Sequence, residues 1–375
     1  MRFLHTADWQ IGMRAAHVGH AAACVREERL DAARRVIQAA RQNHADFILI
    51  AGDTFEDNGV DRILVQRVAD ILGSFPGPVY VIPGNHDPLA PGSVWDHPAW
   101  RSLSSLNVLR QEQPVAVPGG LLYPCPVKER YSGKDPTAWI SAENPGIIRI
   151  GLAHGTVEGV RQDEPDYPIA RDAPARAALD YLALGHWHSL TTYAADDGAF
   201  RMAYSGTHET TKFGERDSGK VLLVEIAAPG APPLLTPLRT GGLAWAVLEA
   251  GLRAPGDLSR IRQQVEAMPD PASTLLEVRL AGLLSAPERS ELARLEEIVA
   301  ARFPFGRVDS SRLRPSPEDD SWLTGLPEGV VREAASRLRE LAHPAFPGTR
   351  PEGATPEAAC RALLELFALA AEGPR

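Results

Sequence analysis

Short apolar runs alternate with longer helical patterns through the first half of the chain. The runs cover residues 2–7, 47–51 and 79–82, and the helical patterns between them cover 26–43 and 62–72. Continuous runs of β-branched and aliphatic residues indicate strands that are buried on both faces. Their alternation with helices predicts βαβ units in a layered α/β domain.

Four further runs follow with less helix between them, at residues 147–153, 181–185, 200–205 and 221–226. Parallel strands need long crossover connections, which are usually helical. The scarcity of helix therefore predicts a second sheet that is more antiparallel than the first.

The pattern changes after residue 237, so residues 1–237 are predicted to form one domain. Residues 238–314 alternate strand-like and helical segments in the order β-α-β-α-β, which predicts a small α+β domain. Residues 315–375 begin with a linker rich in proline and acidic residues and continue with two predicted amphipathic helices. The apolar stripe of the last helix contains Leu363, Leu366 and Phe367. This stripe either packs within the chain or docks onto a partner, and the pattern leaves both open.

The composition narrows the class of protein. The chain has 375 residues, 44% of them hydrophobic, and a formal net charge of −9. No apolar stretch approaches the roughly 18 residues that a membrane span needs, so no membrane partner is predicted. The three cysteines are far apart, which argues against disulfides and favours a cytoplasmic location. The acidic balance argues against binding nucleic acid by charge alone but permits a local basic groove.

Polar side chains follow successive predicted strands where each strand ends, which is where open α/β sheets bind ligands. They are Asp8 and Gln10, Asp53, the run Asn85, His86 and Asp87, then His154, and finally His186 and His188. Each residue alone is explained as a helix cap, a turn residue or a satisfied polar group. An ordered series at successive strand ends is much harder to explain in that way. The last two histidines are also two residues apart, so both point to one face of an extended segment.

The mixed oxygen and nitrogen ligand set, without thiolates, suits Mn²⁺, Fe²⁺ or Zn²⁺. It contains enough ligands for two ions. Two ions about 3.5–4 Å apart, bridged by a carboxylate, form an arrangement that hydrolyses phosphate esters. The ions lower the pKa of a bridging water, which becomes the nucleophile, and they offset the charge that develops on the phosphate.

The series resembles the calcineurin-like metallophosphoesterase superfamily, whose pattern is D-x-H, G-D, G-N-H-D/E, a later H, and G-H-x-H. The motifs cover residues 1–226. The stretches 5–9, 204–207 and 212–215 are similar to the SbcD branch, the bacterial Mre-type DNA repair nucleases. The resemblance implies an α/β/β/α sandwich followed by a small α+β capping domain and C-terminal helices that bind an ATPase.

The resemblance also implies a role for each residue. One metal falls to Asp8, Gln10, Asp53 and His188, and the second to Asp53, Asn85, His154 and His186, so that Asp53 bridges. His86 contacts the scissile phosphate and protonates or stabilises the leaving oxygen. Asp87 orients His86 through a hydrogen bond. For His208, after the 204–206 turn, the resemblance gives no role.

Gln10 departs from the family, which has a histidine at this position. An amide oxygen binds metals more weakly than imidazole and prefers harder ions. We therefore expect the first metal to bind less tightly than the second. The two divalent ions are expected to be Mn²⁺, with Mg²⁺ an alternative at the Gln10 position.

The leading hypothesis is a DNA exonuclease or endonuclease that acts on DNA ends in repair with an SbcC-like coiled-coil ATPase, which docks on the C-terminal helices. The alternative is a stand-alone phosphodiesterase of a small nucleotide or another phosphodiester. A non-catalytic scaffold is disfavoured, because a scaffold has no use for His86. The resemblance further implies a homodimer through the 62–72 helix, although its apolar residues are equally well explained as core. Those residues are Ile63, Leu64, Val68, Ile71 and Leu72.

Overall fold

The computed structural model describes residues 1–142, 146–159, 166–254, 256–285, 287–316 and 320–372. Residues 317–319 of the predicted linker lie outside these ranges. The chain divides into two compact units, Met1–Ala244 and Trp245–Arg375. The further division at residue 314 stays a prediction.

Two six-stranded sheets and the helices on their outer faces make up the first unit. Its strands are β1 (Arg2–Thr6), β2 (Phe47–Ala51), β3 (Val79–Ile82), β4 (Leu106–Val108), β5 (Val115–Val117), β6 (Gly120–Pro124), β7 (Ile148–His154), β8 (Thr156–Val157), β9 (Pro168–Ile169), β10 (Tyr181–Gly185), β11 (Thr191–Ala194), β12 (Phe200–Tyr204), β13 (Lys220–Glu225) and β14 (Leu234–Arg239). Its helices are α1 (Ala22–Gln42), α2 (Arg62–Gly73) and α3 (Ala173–Arg176).

The first sheet has the order β14-β13-β1-β2-β3-β4, and the second has the order β11-β12-β10-β7-β6-β5. Strands β1 to β4 are parallel, as the βαβ pattern predicts. The expected antiparallel character of the second sheet is wrong, because β6, β7, β10 and β12 are parallel and only the edge strands are antiparallel. The crossover from β7 to β10 runs through the short elements β8, β9 and α3 rather than a long helix.

Each central strand is buried on both faces because it lies between two apolar layers. Phe47 and Leu49 of β2 face the second sheet, whereas Ile48 and Ile50 pack with the apolar stripes of α1 and α2. The second sheet is covered on its outer side by α3 and the neighbouring loops. This layering confirms the predicted α/β/β/α class.

His5 joins the two sheets near the ends of their central strands. Its Nδ1 lies 2.9 Å from the Tyr181 hydroxyl and its Nε2 lies 3.1 Å from the Leu184 carbonyl oxygen. Burial lowers the pKa of His5 to about 3, although the hydrogen bond to Leu184 opposes this, so the ring is neutral at pH 7. A neutral structural histidine thus holds β1 against β10, and the two strands end at the same place.

The second unit contains a three-stranded sheet in the order β15-β16-β17, with helices packed on it. Its elements are β15 (Ala244–Leu252), α4 (Asp257–Glu266), β16 (Thr274–Leu284), α5 (Arg289–Arg302), β17 (Phe305–Pro315), α6 (Val330–Ala342) and α7 (Pro356–Glu372). Helices α4 and α5 bury apolar side chains against the sheet.

Helix α7 packs its apolar stripe within the chain. Leu363 is buried with Ala335 of α6, Leu366 packs against the same cluster, and Phe367 meets Trp322 edge-on at 5.0 Å between ring centroids. The sequence pattern alone did not decide whether this stripe packs within the chain or docks onto a partner. Among the described residues, no helix has both the length and the apolar character to cross a membrane.

Candidate metal centre

The loops that follow β1 and β2 run side by side beyond the strands. The Asp8 N–H donates to the Gly52 carbonyl at 3.1 Å, and the Gln10 N–H donates to the Asp53 carbonyl at 2.9 Å. Asp8, Gln10 and Asp53 all adopt left-handed backbone, with φ of 54°, 43° and 50°. Such conformations cost about 1–3 kcal/mol each in residues other than glycine, and they cluster at functional sites.

Three buried side chains converge where the two sheets meet. One ligand atom from each of Asp8, Asp53 and His154 lies within 4.8 Å of the others. Asn85 Oδ1 lies 2.8 Å from His154 Nε2 and 3.2 Å from His186 Nδ1. The structure therefore brings five of the sequence-predicted residues together. Gln10 is 7% exposed, and its main-chain bond to the Asp53 carbonyl places its backbone beside this cluster.

The donor set fits a divalent cation. His154 Nδ1 lies 2.8 Å from the Ala51 carbonyl oxygen and must donate to it. In a neutral His154 the Nε2 lone pair then faces the oxygens of Asn85 and Asp53, the latter at 3.5 Å. Lone pairs that face one another are stable only with a proton or a cation between them. Burial opposes protonation, but the Asp53 and Asp8 carboxylates outweigh it and raise the pKa of His154 to about 9.

Two glycines allow the loops to approach this closely. A Cβ on Gly84 would lie 2.1 Å from Asp53 Oδ1, and a Cβ on Gly185 would lie 1.9 Å from the Ala51 carbonyl oxygen. Any larger residue at either position would force the ligand-bearing loops apart. Steric crowding thus explains why the G-N-H-D and G-H-x-H motifs have glycine at these two positions.

Backbone donors hold both carboxylates. The His186 N–H lies 3.0 Å and 3.1 Å from the two Asp8 oxygens, and the His86 N–H donates to Asp53 Oδ1 at 2.9 Å. Burial raises the pKa of Asp8 to about 6, although the neighbouring histidines oppose the shift. Burial acts on Asp53 in the same direction, but His154 and His86 outweigh it and lower the pKa of that carboxyl.

Glu215 orients His188, a role that the sequence did not reveal. His188 Nδ1 lies 2.9 Å from Glu215 Oε1 and donates to it, which leaves Nε2 for a metal. Metal-binding histidines almost always donate the other ring N–H to a carboxylate, a main-chain carbonyl or a water. Thr211 fixes Glu215 in turn, because its N–H donates to Oε2 at 2.8 Å. Burial lowers the pKa of His188, but Glu215 and Asp8 outweigh it and raise the value above normal.

The Glu215→Gln variant is expected to bind Mn²⁺ about 10–100-fold more weakly at the site for which His188 is a predicted ligand, the usual cost of losing such a hydrogen-bond partner. The amide keeps the size of the side chain but removes the charge that fixes the ring. Isothermal calorimetry with Mn²⁺ measures the change, and Glu112→Gln, at an exposed ion pair with Lys128, is the matched control. An unchanged affinity in Glu215→Gln would exclude this positioning role.

The predicted hydrogen bond from Asp87 to His86 is wrong. His86 Nδ1 instead lies 2.9 Å from the Glu56 carbonyl oxygen. The Asp87 carboxylate accepts main-chain N–H groups of Gly84 at 2.7 Å and Phe55 at 3.0 Å. Burial and the nearby Asp53 charge raise the pKa of Asp87 to about 7. Asp87 therefore braces the two ligand-bearing loops, and a carbonyl of one of them orients His86.

His208 lies beneath the site. It is fully buried, stacks on Trp9 at 5.0 Å between ring centroids, and places Nε2 2.8 Å from the Arg29 carbonyl oxygen. These contacts give it a packing role.

Arg29 of α1 is the second residue whose role the sequence did not reveal. It is 1% exposed, and its guanidinium donates to the carbonyls of Trp9 at 3.0 Å and Glu209 at 2.8 Å and to Thr207 Oγ1 at 3.2 Å. The Thr207 hydroxyl donates to the Asp8 carbonyl at 2.7 Å. Arg29 thus ties the Asp8 loop to the 207–210 loop. A charged residue within the apolar stripe of α1 was the available signal.

These features together define a metallophosphoesterase. The chain belongs to the calcineurin-like phosphoesterase family, whose model matches residues 1–190. The family consists of hydrolases that use divalent metals, so the chain is a hydrolase with a candidate metal site at Asp8, Asp53 and His154.

Two curated relatives come from Bacillus subtilis. The metallophosphoesterase YhaO is 26% identical over 238 residues, which is 60% of this chain and 57% of YhaO. The SbcD subunit of the nuclease SbcCD is 26% identical over 271 residues, which is 61% of this chain and 67% of SbcD. The chain therefore spans little more than half of YhaO. Among solved structures, TT1561 of Thermus thermophilus matches 64% of this chain and 98% of its own at 12% identity, with a TM-score of 0.41.

Proposed function

We propose that this chain is a metal-dependent phosphodiesterase that cleaves DNA at its ends. The observation that carries the proposal is the convergence of the buried Asp8, Asp53, Asn85 and His154 with the half-buried His186, with the His86 main chain bonded to Asp53. The similarity to the SbcD subunit of a nuclease supports DNA as the substrate.

We assign one metal to Asp8, Gln10, Asp53 and His188 and the other to Asp53, Asn85, His154 and His186. Two bound divalent ions, Mn²⁺ in this proposal with Mg²⁺ an alternative beside Gln10, would supply an activated water and offset charge on the phosphate. Asp53 is assigned to both sites, which is consistent with its Oδ1 accepting the His86 N–H at 2.9 Å and its Oδ2 lying 3.5 Å from His154 Nε2.

His86 supplies the proton for the leaving oxygen. Its Nδ1 proton is held by the Glu56 carbonyl, so Nε2 is the ring atom available to substrate. A second proton on Nε2 passes to the departing 3′ or 5′ oxygen as the P–O bond breaks. The main-chain bond from His86 to Asp53 keeps this ring beside the candidate metal site.

A calorimetric titration with Mn²⁺ is expected to show two unequal sites, because Gln10 offers an amide where relatives offer an imidazole. The Gln10→His variant should bind the weaker ion about tenfold more tightly, a change equivalent to ~1.4 kcal/mol. Gln66→His on the exposed face of α2 controls for a histidine added elsewhere. Two equally tight sites in the unaltered chain would contradict this assignment.

The C-terminal helices are the proposed docking site for an SbcC-like ATPase. The net charge of −9 disfavours strong DNA binding by this chain alone, so a partner would supply that affinity. The apolar stripe of α7 that contains Leu363 packs against α6. The apolar side chains that remain available to a partner are Val330 and Leu369, which are 81% and 65% exposed. A homodimer through α2 has less support, because Val68, Ile71 and Leu72 are core residues.

Deleting residues 355–375 is expected to abolish co-purification with the ATPase while hydrolysis of small diesters persists. Because the deletion also uncovers α6, the point variant Leu369→Glu is the sharper test, with Ile63→Glu, at a 70% exposed residue of α2, as its control. Co-purification of the ATPase with both the 355–375 deletion and Leu369→Glu would exclude this docking site.

The substrate is tested by incubating the purified chain and Mn²⁺ with linear and covalently closed double-stranded DNA. Degradation of the linear form, abolished by a chelator, is expected. Hydrolysis of small nucleotide diesters without attack on either DNA would instead favour the stand-alone phosphodiesterase.

A further inference from the structure

A cleft of about 410 Å³ opens beside His186 and His188. Its lining also includes Trp187, Lys212 and Phe213. Two of the proposed metal ligands therefore form one wall, and a second loop, residues 212–215, contributes the other. A molecule that reaches the metals from this side passes between an indole, a phenyl ring and an ammonium group.

The two aromatic side chains are half-buried and so keep part of their surface at the cleft. Trp187 packs against the apolar cluster behind the second sheet, which fixes its position. Its neighbours in sequence, His186 and His188, are held by hydrogen bonds to Asn85 and Glu215. Trp187 therefore sits on a rigid segment, so its own side chain loses little conformational entropy when a ring stacks against it.

Lys212 brings positive charge to the cleft in a chain whose net charge is −9. It is exposed, and in the part of the chain that the structure describes no ion pair joins it to a carboxylate. The two nearest acids in sequence are both occupied: Glu209 accepts the N–H groups of Thr210 and Gly242, and Glu215 is bonded to His188 and Thr211. The ammonium is therefore available to an anion.

We propose that this cleft binds the nucleoside next to the scissile phosphate, with its base against Trp187 and Phe213 and its neighbouring phosphate at Lys212. The volume falls within the range of about 300–1,000 Å³ that is usual for small-ligand sites. Aromatic surface beside a cation is the chemistry that holds single-stranded nucleotides. Stacking accepts any base, so the cleft recognises a nucleotide without selecting a sequence.

This inference rests on the proposed phosphodiesterase activity, and its test separates the two. The full chain with Mn²⁺ is assayed on thymidine 5′-(p-nitrophenyl phosphate) and on methyl p-nitrophenyl phosphate, which share a leaving group but differ in the nucleoside. The wild type is expected to prefer the thymidine ester in kcat/KM. In Phe213→Leu that preference should fall about tenfold, through KM, whereas Lys212→Met should keep it, because neither ester carries the neighbouring phosphate assigned to Lys212. Phe200→Leu, which is 48% exposed, and Lys134→Met are the matched controls.

A second readout needs no catalysis. The anisotropy of a fluorescein-labelled dT₆ in EDTA should report binding about tenfold weaker in Phe213→Leu and Lys212→Met than in the control variants. Full preference in Phe213→Leu, with full dT₆ affinity in both variants, would overturn the nucleoside site. Hydrolysis of both esters without preference by the wild type would overturn it while the proposed activity stands. Hydrolysis of neither ester would remove the proposed activity itself.

Discussion

Replacing His86 with alanine is expected to slow DNA hydrolysis by about 10²–10⁴-fold, the usual contribution of a general acid. The loss should be much smaller for bis(p-nitrophenyl) phosphate, because p-nitrophenolate leaves without a proton, whereas a deoxyribose oxygen does not. The hydrogen bond from Nδ1 to the Glu56 carbonyl makes Nε2 the proton donor.

The measurement is the ratio of the two rates, under saturating Mn²⁺, in wild type, His86→Ala and His86→Gln. Glutamine keeps a donor but has no titratable proton, so it should fail on DNA almost as fully as alanine. The exposed His20, replaced by alanine, controls for the loss of a histidine elsewhere. Equal losses on both substrates would show that His86 acts on the phosphate rather than on the leaving oxygen.

Replacing Arg29 with methionine is expected to destabilise the first unit by about 3–5 kcal/mol. The side chain is fully buried, and its removal leaves the carbonyls of Trp9 and Glu209 without a donor, at about 1–3 kcal/mol each. It also removes one of two cations near the buried Glu209 carboxylate, the other being Arg35 at 3.7 Å. Metal affinity should fall as well, because the loop that carries Asp8 loses its anchor.

Urea denaturation measures this change, with Mn²⁺ omitted so that binding does not contribute. The control is Arg34→Met on the exposed face of the same helix, whose ion pair with Asp31 is worth at most about 1 kcal/mol. Arg29→Lys keeps the charge but loses the planar guanidinium group. Its unfolding midpoint should therefore lie between those of Arg29→Met and Arg34→Met. An unfolding midpoint in Arg29→Met equal to that of Arg34→Met would contradict the anchoring role.

Local pattern predicted much of the first unit. Strands such as β2 can be recognised in the sequence because both of their faces are apolar. The position of ligand residues at strand ends is expected from the layered fold. Strand direction in the second sheet was not predictable in the same way, because the crossover from β7 to β10 contains little helix.

The supporting contacts of the site depend on how loops fold back. Asp87 accepts hydrogen bonds from the N–H groups of Gly84 and Phe55 instead of bonding to His86. The carbonyl of Glu56, thirty residues before His86, orients the His86 ring in its stead. Glu215 reaches His188 across a separation of 27 residues. No local spacing encodes either pairing, since each is created by tertiary structure.

The central claim is that the cluster around Asp53 hydrolyses phosphodiesters with divalent metal ions. The most direct test is the rate at which the purified chain degrades linear double-stranded DNA with Mn²⁺, compared with Asp53→Asn. Asp57→Asn, four residues away and exposed, is the matched control. We predict degradation by the wild type and the control that a chelator stops, and a rate at least about 10³-fold lower in Asp53→Asn, as expected when several kcal/mol of charge stabilisation are lost. Degradation by Asp53→Asn at the wild-type rate would contradict the claim.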